Sequence, residues 1–536
     1  MGNSLQTLDY VVFITYFFIV SGYGYWIYQR KKNPNASVND FFLAEGSLTW
    51  WAIGASLIAS NISAEQFVGM SGSGFAMGLA IASYEWMAAL TLIVVAVFFM
   101  PGYIKNRIFT MPQFLEKRYS PLVATMMAVF WLLVYVFVNL TSILYLGAIA
   151  VSTISGFSFT LCSIFLAIFA IFITLGGMKV IGYTDVIQVA ILVLGGFATA
   201  YLALDLVAQQ SGTEGAMAGL SLLRVEAPSH FHMIFDESNK YYKDLPGLTV
   251  LFGAMWIANL NYWGCNQYIT QRALGAKLET ARSGLLFAAF LKLLMPLIVV
   301  IPGIAAYVLH QKGMFQAEMM NAAGEVKPDK AYPVLLNLLG PGLKGLSFAA
   351  LTAAIVASLA GKANSIATIF TLDIYKKYIN KGADEATQVR MGRWVIIGAM
   401  FIGLIVAPQL QRLEQGFQFI QEFTGLISPG VVAIFLLGFF WKRATANAAF
   451  VAALLTIPMG LFFKSWKHEM PFLDQMGYVF LILVGLMVVI SLADPKSKDN
   501  PKAMKVDIDS FKTSTAFAVG ALLVTGVLAA LYIVFW

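Results

Sequence analysis

Fourteen apolar runs follow one another along this chain, most of them near or above the length of about 20 residues that crosses bilayer hydrocarbon. They fall at 9–28, 51–75, 78–104, 121–152, 158–175, 184–208, 248–270, 281–309, 344–376, 389–409, 417–441, 445–464, 474–493 and 514–536. The run 121–152 is longer than one crossing and must tilt or protrude. Between the runs charge is scarce. Only 12% of the 536 residues are charged, against about 25% in a soluble globular chain. A chain so poor in water-facing side chains must keep most of its surface out of water. The expected fold class is therefore an all-α polytopic membrane protein with about 14 transmembrane helices.

The formal net charge of +7 does not signal a nucleic-acid partner, because Lys and Arg sit in short loops between runs and form no single patch. With the N-terminus outside, 23 of the 35 basic residues fall in inside loops, among them Arg30, Lys105, Arg118, Lys277, Lys376, Lys442 and Lys512. The opposite orientation reverses this bias, so both termini are predicted outside. No Lys or Arg precedes Asp9, so the basic start of a cleaved signal is missing and the first run is read as a retained helix. Cys162 and Cys265 lie inside apolar runs, with no disulfide framework and no metal spacing. His230, His232, His310 and His468 fall in loops on the outside, which argues against a proton relay.

Two runs carry polar interruptions. The second holds Ala59-Ser60-Asn61-Ile62-Ser63-Ala64-Glu65-Gln66, and the seventh Ala258-Asn259-Leu260-Asn261-Tyr262-Trp263-Gly264 with Asn266 and Gln267 beyond. Hydrocarbon satisfies no backbone group, so a broken helix at membrane depth lines a cavity or packs inside protein. Carriers build midplane binding sites from such breaks. The two are five spans apart, as two five-helix repeats at 51–208 and 248–441 would place them, with 9–28 and 445–536 as peripheral helices. Ionisable residues inside spans cost several kcal/mol unless paired or wet. Glu65, Glu85 and Lys292 fall in that class, and Glu85 with Lys292 is the proposed pair.

The run Ala59 to Met70 resembles the unwound first core helix of sodium/sugar symporters in the sodium:solute symporter family, closest to the bacterial sodium/galactose carriers. Ala82-Ser83-Tyr84-Glu85-Trp86, Phe137-Val138-Asn139-Leu140-Thr141-Ser142, Thr184-Asp185-Val186-Ile187-Gln188, Asn364-Ser365 with Asp373-Ile374-Tyr375, and Phe417-Gln418-Phe419-Ile420-Gln421-Glu422 are similar too. The resemblance implies a leucine-transporter-like 5+5 inverted repeat, alternating access, a hexose substrate and sodium as coupling ion, with no other cofactor. It implies a multi-pass protein of the plasma (inner) membrane. Gln66, Glu85, Asn259, Lys292 and Gln421, joined by Asn61, match polar residues that bind sugar hydroxyls. Tyr262 matches an aromatic inner gate, which Trp263 joins. Met70, Tyr84 and Phe417 match an outer hydrophobic gate. A pyranose independently calls for such a set: an aromatic plate for its ring face, and amides with a charged pair for its hydroxyls.

The same resemblance implies sodium ligands at the carbonyls of Ala59, Ile62 and Ala354 and at two neighbouring hydroxyls. Only Ser358 of the two is present; the other position is Ala357. Lys362 stands where relatives are usually apolar, next to Gly361. It shares a helix face with Ser358. Either Lys362 is a tethered cation, paired with Asp185 on the cation route, or it snorkels to the interface. Three alternatives follow: a sodium-independent facilitator or sensor, a symporter for another small solute, and an intramembrane enzyme. The last finds no His in a span and no HExxH, so an enzyme is not expected.

Overall fold

The computed structural model describes residues 5–30, 49–108, 110–175, 178–274, 276–321, 324–413, 415–467, 469–504 and 508–536. All fourteen apolar stretches are helical within those bounds. Nine helices among the described residues are long and apolar enough to cross a membrane, ten if the bent pair Gly416–Gly425 and Ser428–Phe440 counts as one span. The lower count has physical causes. The runs 51–75 and 248–270 are cut into shorter pieces by their polar residues. The runs 51–75 and 78–104 also meet in one helical stretch, Glu65–Lys105, which turns at Gly78. There φ is +76°, and a Cβ would sit 2.4 Å from the backbone of His230, so only glycine fits. Thr7–Val20 and Phe159–Thr174 are apolar but short.

Several helix starts on the short loops are written locally. Thr110, Ser120, Ser158, Thr445 and Ser514 each accept a hydrogen bond from the backbone N–H three residues on, as N-caps do. Pro112 and Pro121 occupy the first turns of two of these helices, where no N–H is missed.

Burial divides the helices into a core and a rim. Leu343–Ile369 and Leu278–Gln311 are buried along most of their length. The helices Glu385–Val406, Ala446–Trp466, Phe472–Ala493 and Thr515–Val534 expose rows of large apolar side chains such as Trp394, Phe401, Leu481, Leu522 and Ile533. Apolar surface on that scale suits lipid and not water, and the chain is a multi-pass membrane protein. Lys312 of the long loop 312–342 pairs with Glu226 of the long loop 210–246, while the basic segments around Lys376 and Lys442 meet the helix Met111–Arg118 through Lys377–Glu116 and Arg118 to the Trp441 carbonyl. The fully buried Arg118 also caps the end of Ser428–Phe440, donating from Nε to the Gly438 carbonyl at 2.8 Å.

Candidate functional site

Both breaks are held open by their own side chains. Trp50–Asn61 ends where Ile62 turns extended, at φ −73° and ψ 102°. The Ser63 N–H, which would cap the Ala59 carbonyl in a continuous helix, donates to Gln66 Oε1 at 3.2 Å. The Glu65 N–H donates to Ser63 Oγ at 3.2 Å. The chain resumes as the wide turn Glu65–Met70, a π-helix, a form that recurs at functional sites. The second break separates Met255–Gly264 from Gln267–Leu274. Its orphan groups are met from elsewhere: Tyr103 Oη donates to the Gly264 carbonyl at 2.7 Å, and Asn266 Oδ1 accepts from the Tyr268 N–H at 3.0 Å and from Tyr135 Oη.

Between the breaks lies a cavity, about 820 Å³ of unfilled space with its mouth included. All seven predicted sugar-contacting residues line it: Asn61, Gln66, Glu85, Asn259, Tyr262, Lys292 and Gln421. At its centre Lys292 Nζ donates to Glu85 Oε2 at 2.5 Å and also to Asn61 Oδ1. The pair is buried, and Lys292 Nζ sits 5.0 Å from the centre of the Trp263 ring. The Asn61 amide donates to Tyr262 Oη at 3.2 Å, and the Tyr262 and Trp263 rings meet edge to face at 5.1 Å. One hydrogen-bonded chain thus runs from carboxylate through ammonium and amide to phenol. Asn259 uses its amide N–H on the Met255 carbonyl at 3.1 Å.

Of the three predicted outer-gate residues, Tyr84 and Phe417 line the cavity and pack edge to face at 5.2 Å. Met70 is fully buried and does not line the cavity. Its methionine character gave no sign of that, because a buried apolar residue beside a gate reads the same as one in it. Asn266, Tyr135 and Glu65 line the wall as well; the sequence names Asn266 and Glu65 as polar residues of the breaks without giving them a place in the sugar set, and does not single out Tyr135. Glu65 was visible as a charge in a span, while Tyr135 has only an ordinary aromatic's signature.

None of the predicted cation ligands lines the cavity. Ala59, Ile62, Ala354 and Ser358 are buried, and Ala357 is partly exposed. Ser358 Oγ has no hydrogen-bond partner among the described residues. With the Ala59 carbonyl released by Ser63, this leaves oxygens fit for a hard cation. Lys362 is buried, not snorkelling. The side chain of Asp185, and with it the predicted pairing with Lys362, lies outside the described residues. Cys162 and Cys265 are free and buried.

Broken helices around a polar, charge-bearing cavity in a multi-pass helical protein define a solute carrier. Residues 41–456 match the model of the sodium:solute symporter family, and the chain belongs to that family. It is 48% identical to a sodium/glucose cotransporter of Vibrio parahaemolyticus, over 100% of this chain and 99% of that protein. It is 33% identical to sodium/myo-inositol cotransporter 2 of Homo sapiens, over 86% of this chain and 70% of that one. Among solved structures it shares the fold of a sodium-coupled sialic acid symporter in a substrate-bound outward-open state. That match has a TM-score of 0.77 at 20% identity, covering 91% of this chain and 98% of the other. Carriers of this family are not enzymes.

Proposed function

We propose that this chain moves a hexose across the membrane by alternating access, coupled to sodium entering down its gradient. The observation that carries the reading is the Glu85–Lys292 pair set in one cavity wall with the Tyr262 and Trp263 rings. A pyranose has an apolar ring face and hydroxyls that both donate and accept. The rings suit the face, and Glu85, Lys292, Asn61, Gln66, Asn259 and Gln421 suit the hydroxyls, with charge-assisted bonds about twice as strong as neutral ones. The 48% identity to a sodium/glucose cotransporter supports the same substrate class.

Ala59, Ile62 and Ala354 supply carbonyls and Ser358 a hydroxyl to sodium, in a site one hydroxyl short because residue 357 is alanine. Helices 51–208 and 248–441 act as the two repeats, rocking around the breaks. Tyr84 and Phe417 close the outer side, backed by Met70, and Tyr262 with Trp263 closes the inner. Both termini face outward from the inner membrane, following the basic loops. One inward charge gains about 2.3 kcal/mol per 100 mV, enough to concentrate a neutral sugar. Tracer glucose and galactose uptake into proteoliposomes tests the reading. Uptake above protein-free vesicles supports it, and its absence for both sugars overturns it.

A further inference from the structure

Lys362 lies beside the sugar cavity, and neither the sugar chemistry nor the sodium ligand set uses it. Its ammonium sits 4.4 Å from the centre of the Tyr268 ring, 4.8 Å from Tyr135 and 5.9 Å from Tyr262. It also donates to Asn139 Oδ1 at 3.4 Å. Ring faces within about 6 Å attract a cation, the more so when it is desolvated, so three tyrosines and one amide form a cage for it.

The cage is built by several elements at once. Tyr135 and Asn139 come from the π-helical stretch Tyr135–Leu140. Tyr268 follows the second break and donates from Oη to the Ser60 carbonyl at 2.9 Å, inside the first break. It comes close because residue 361 is glycine: a Cβ there would lie 2.6 Å from Tyr268 Cε2. Arg272, packed on the other reach of Tyr268 at 5.2 Å, brings a second positive charge. Glu65 is buried, with Oε1 unpartnered among the described residues, and lines the same cavity as the cage residues Tyr135, Asn139 and Tyr262. Ser358, one turn before Lys362 on its helix, holds another orphan oxygen.

We propose that Lys362 is a tethered cation: its ammonium does at the two breaks part of what a bound sodium does, so that sugar crosses in a fraction of cycles without sodium. This rests on the sugar-carrier reading. A cation at this place neutralises Glu65 and pins Tyr268 to the first break, closing the inner side beneath Tyr262. Because it is covalently attached, it is present in every cycle. Its charge, with that of Arg272, also weakens sodium at the neighbouring oxygens, since like charges disfavour one another.

The test compares sugar uptake in sodium and in choline media for wild type, Lys362→Ile and Lys362→Gln, alongside the sodium-induced rise in Tm of each purified protein. Wild type is expected to keep uptake in choline. Lys362→Ile or Lys362→Gln is expected to raise the sodium-to-choline uptake ratio by about tenfold, within the usual range of coupling between sites. The Tm of each folded variant is expected to rise further with sodium than that of wild type, as tighter binding to the native state requires. The same ratio and the same sodium-dependent Tm in wild type and in whichever variant folds would overturn the proposal while leaving the sugar pocket standing. No sugar uptake by wild type in either medium would instead overturn the carrier reading beneath it.

Discussion

Lys292 Nζ meets Glu85 Oε2 at 2.5 Å across two helices whose residues stand 207 positions apart. Each charge is buried, and each satisfies the other. Removing one partner of such a pair leaves an uncompensated charge and costs about 3–5 kcal/mol. Lys292→Ala is therefore expected to lower Tm markedly and abolish sugar uptake. The double variant Glu85→Gln with Lys292→Met is expected to regain much of the Tm and none of the uptake. Recovery of uptake in the double variant would remove the pair from the substrate site.

Tyr262 contributes a ring and a hydroxyl, and the two are separable. Tyr262→Phe keeps the ring and loses the bond from Asn61, whose length is 3.2 Å. A neutral hydrogen bond of about 1 kcal/mol predicts a roughly fivefold higher KM for uptake. Tyr262→Ala loses the ring as well and is expected to lose most of the transport. Equal KM values in tracer assays of both variants and wild type would show that the ring does not meet the sugar.

Asp329 lies in the long loop before Leu343–Ile369, with Oδ2 accepting from the Gly416 N–H at 3.1 Å. Burial pushes its carboxyl up to about 7, against the opposing pull of Lys327. The folded state therefore holds this proton more tightly than the unfolded state. Stability from this group is present at low pH and is lost as pH rises through the window from about 4 to about 7. Melting curves from pH 5 to 8 are expected to show wild type losing stability relative to Asp329→Asn. A difference that does not change with pH would mean the carboxyl is hydrated and ordinary.

Gly361 is expected to resist enlargement. A methyl group would sit 2.6 Å from Tyr268 Cε2, and overpacking of this kind costs about 1–3 kcal/mol. Gly361→Ala should lower Tm, and it should also change the sodium dependence of uptake, since Tyr268 carries the Lys362 ammonium. An unchanged Tm would show that the tyrosine has room to move away.

The apolar runs and their polar breaks were legible because both are one-dimensional signals: hydrocarbon demands length, and an Asn or Glu inside it demands a reason. The seven wall residues followed from the breaks together with the family's motifs. The surroundings of Lys362 were not legible in this way: an ammonium caged by Tyr135, Tyr262 and Tyr268 leaves no periodic trace in the sequence. Hydropathy likewise does not tell the lining of a cavity from the layer around it, so Met70 reads the same in sequence as Phe417, which lines the cavity. The role of Gly361 appeared only with Tyr268 beside it.

The most direct test of the account is initial-rate uptake of tracer glucose and galactose by proteoliposomes of wild type and Lys292→Ala, with an inward sodium gradient and with choline in its place. The account predicts saturable uptake of at least one sugar by wild type, faster with the sodium gradient, and uptake at the protein-free level for Lys292→Ala. Wild-type vesicles that take up neither sugar, or a Lys292→Ala protein that transports as wild type does, would contradict it.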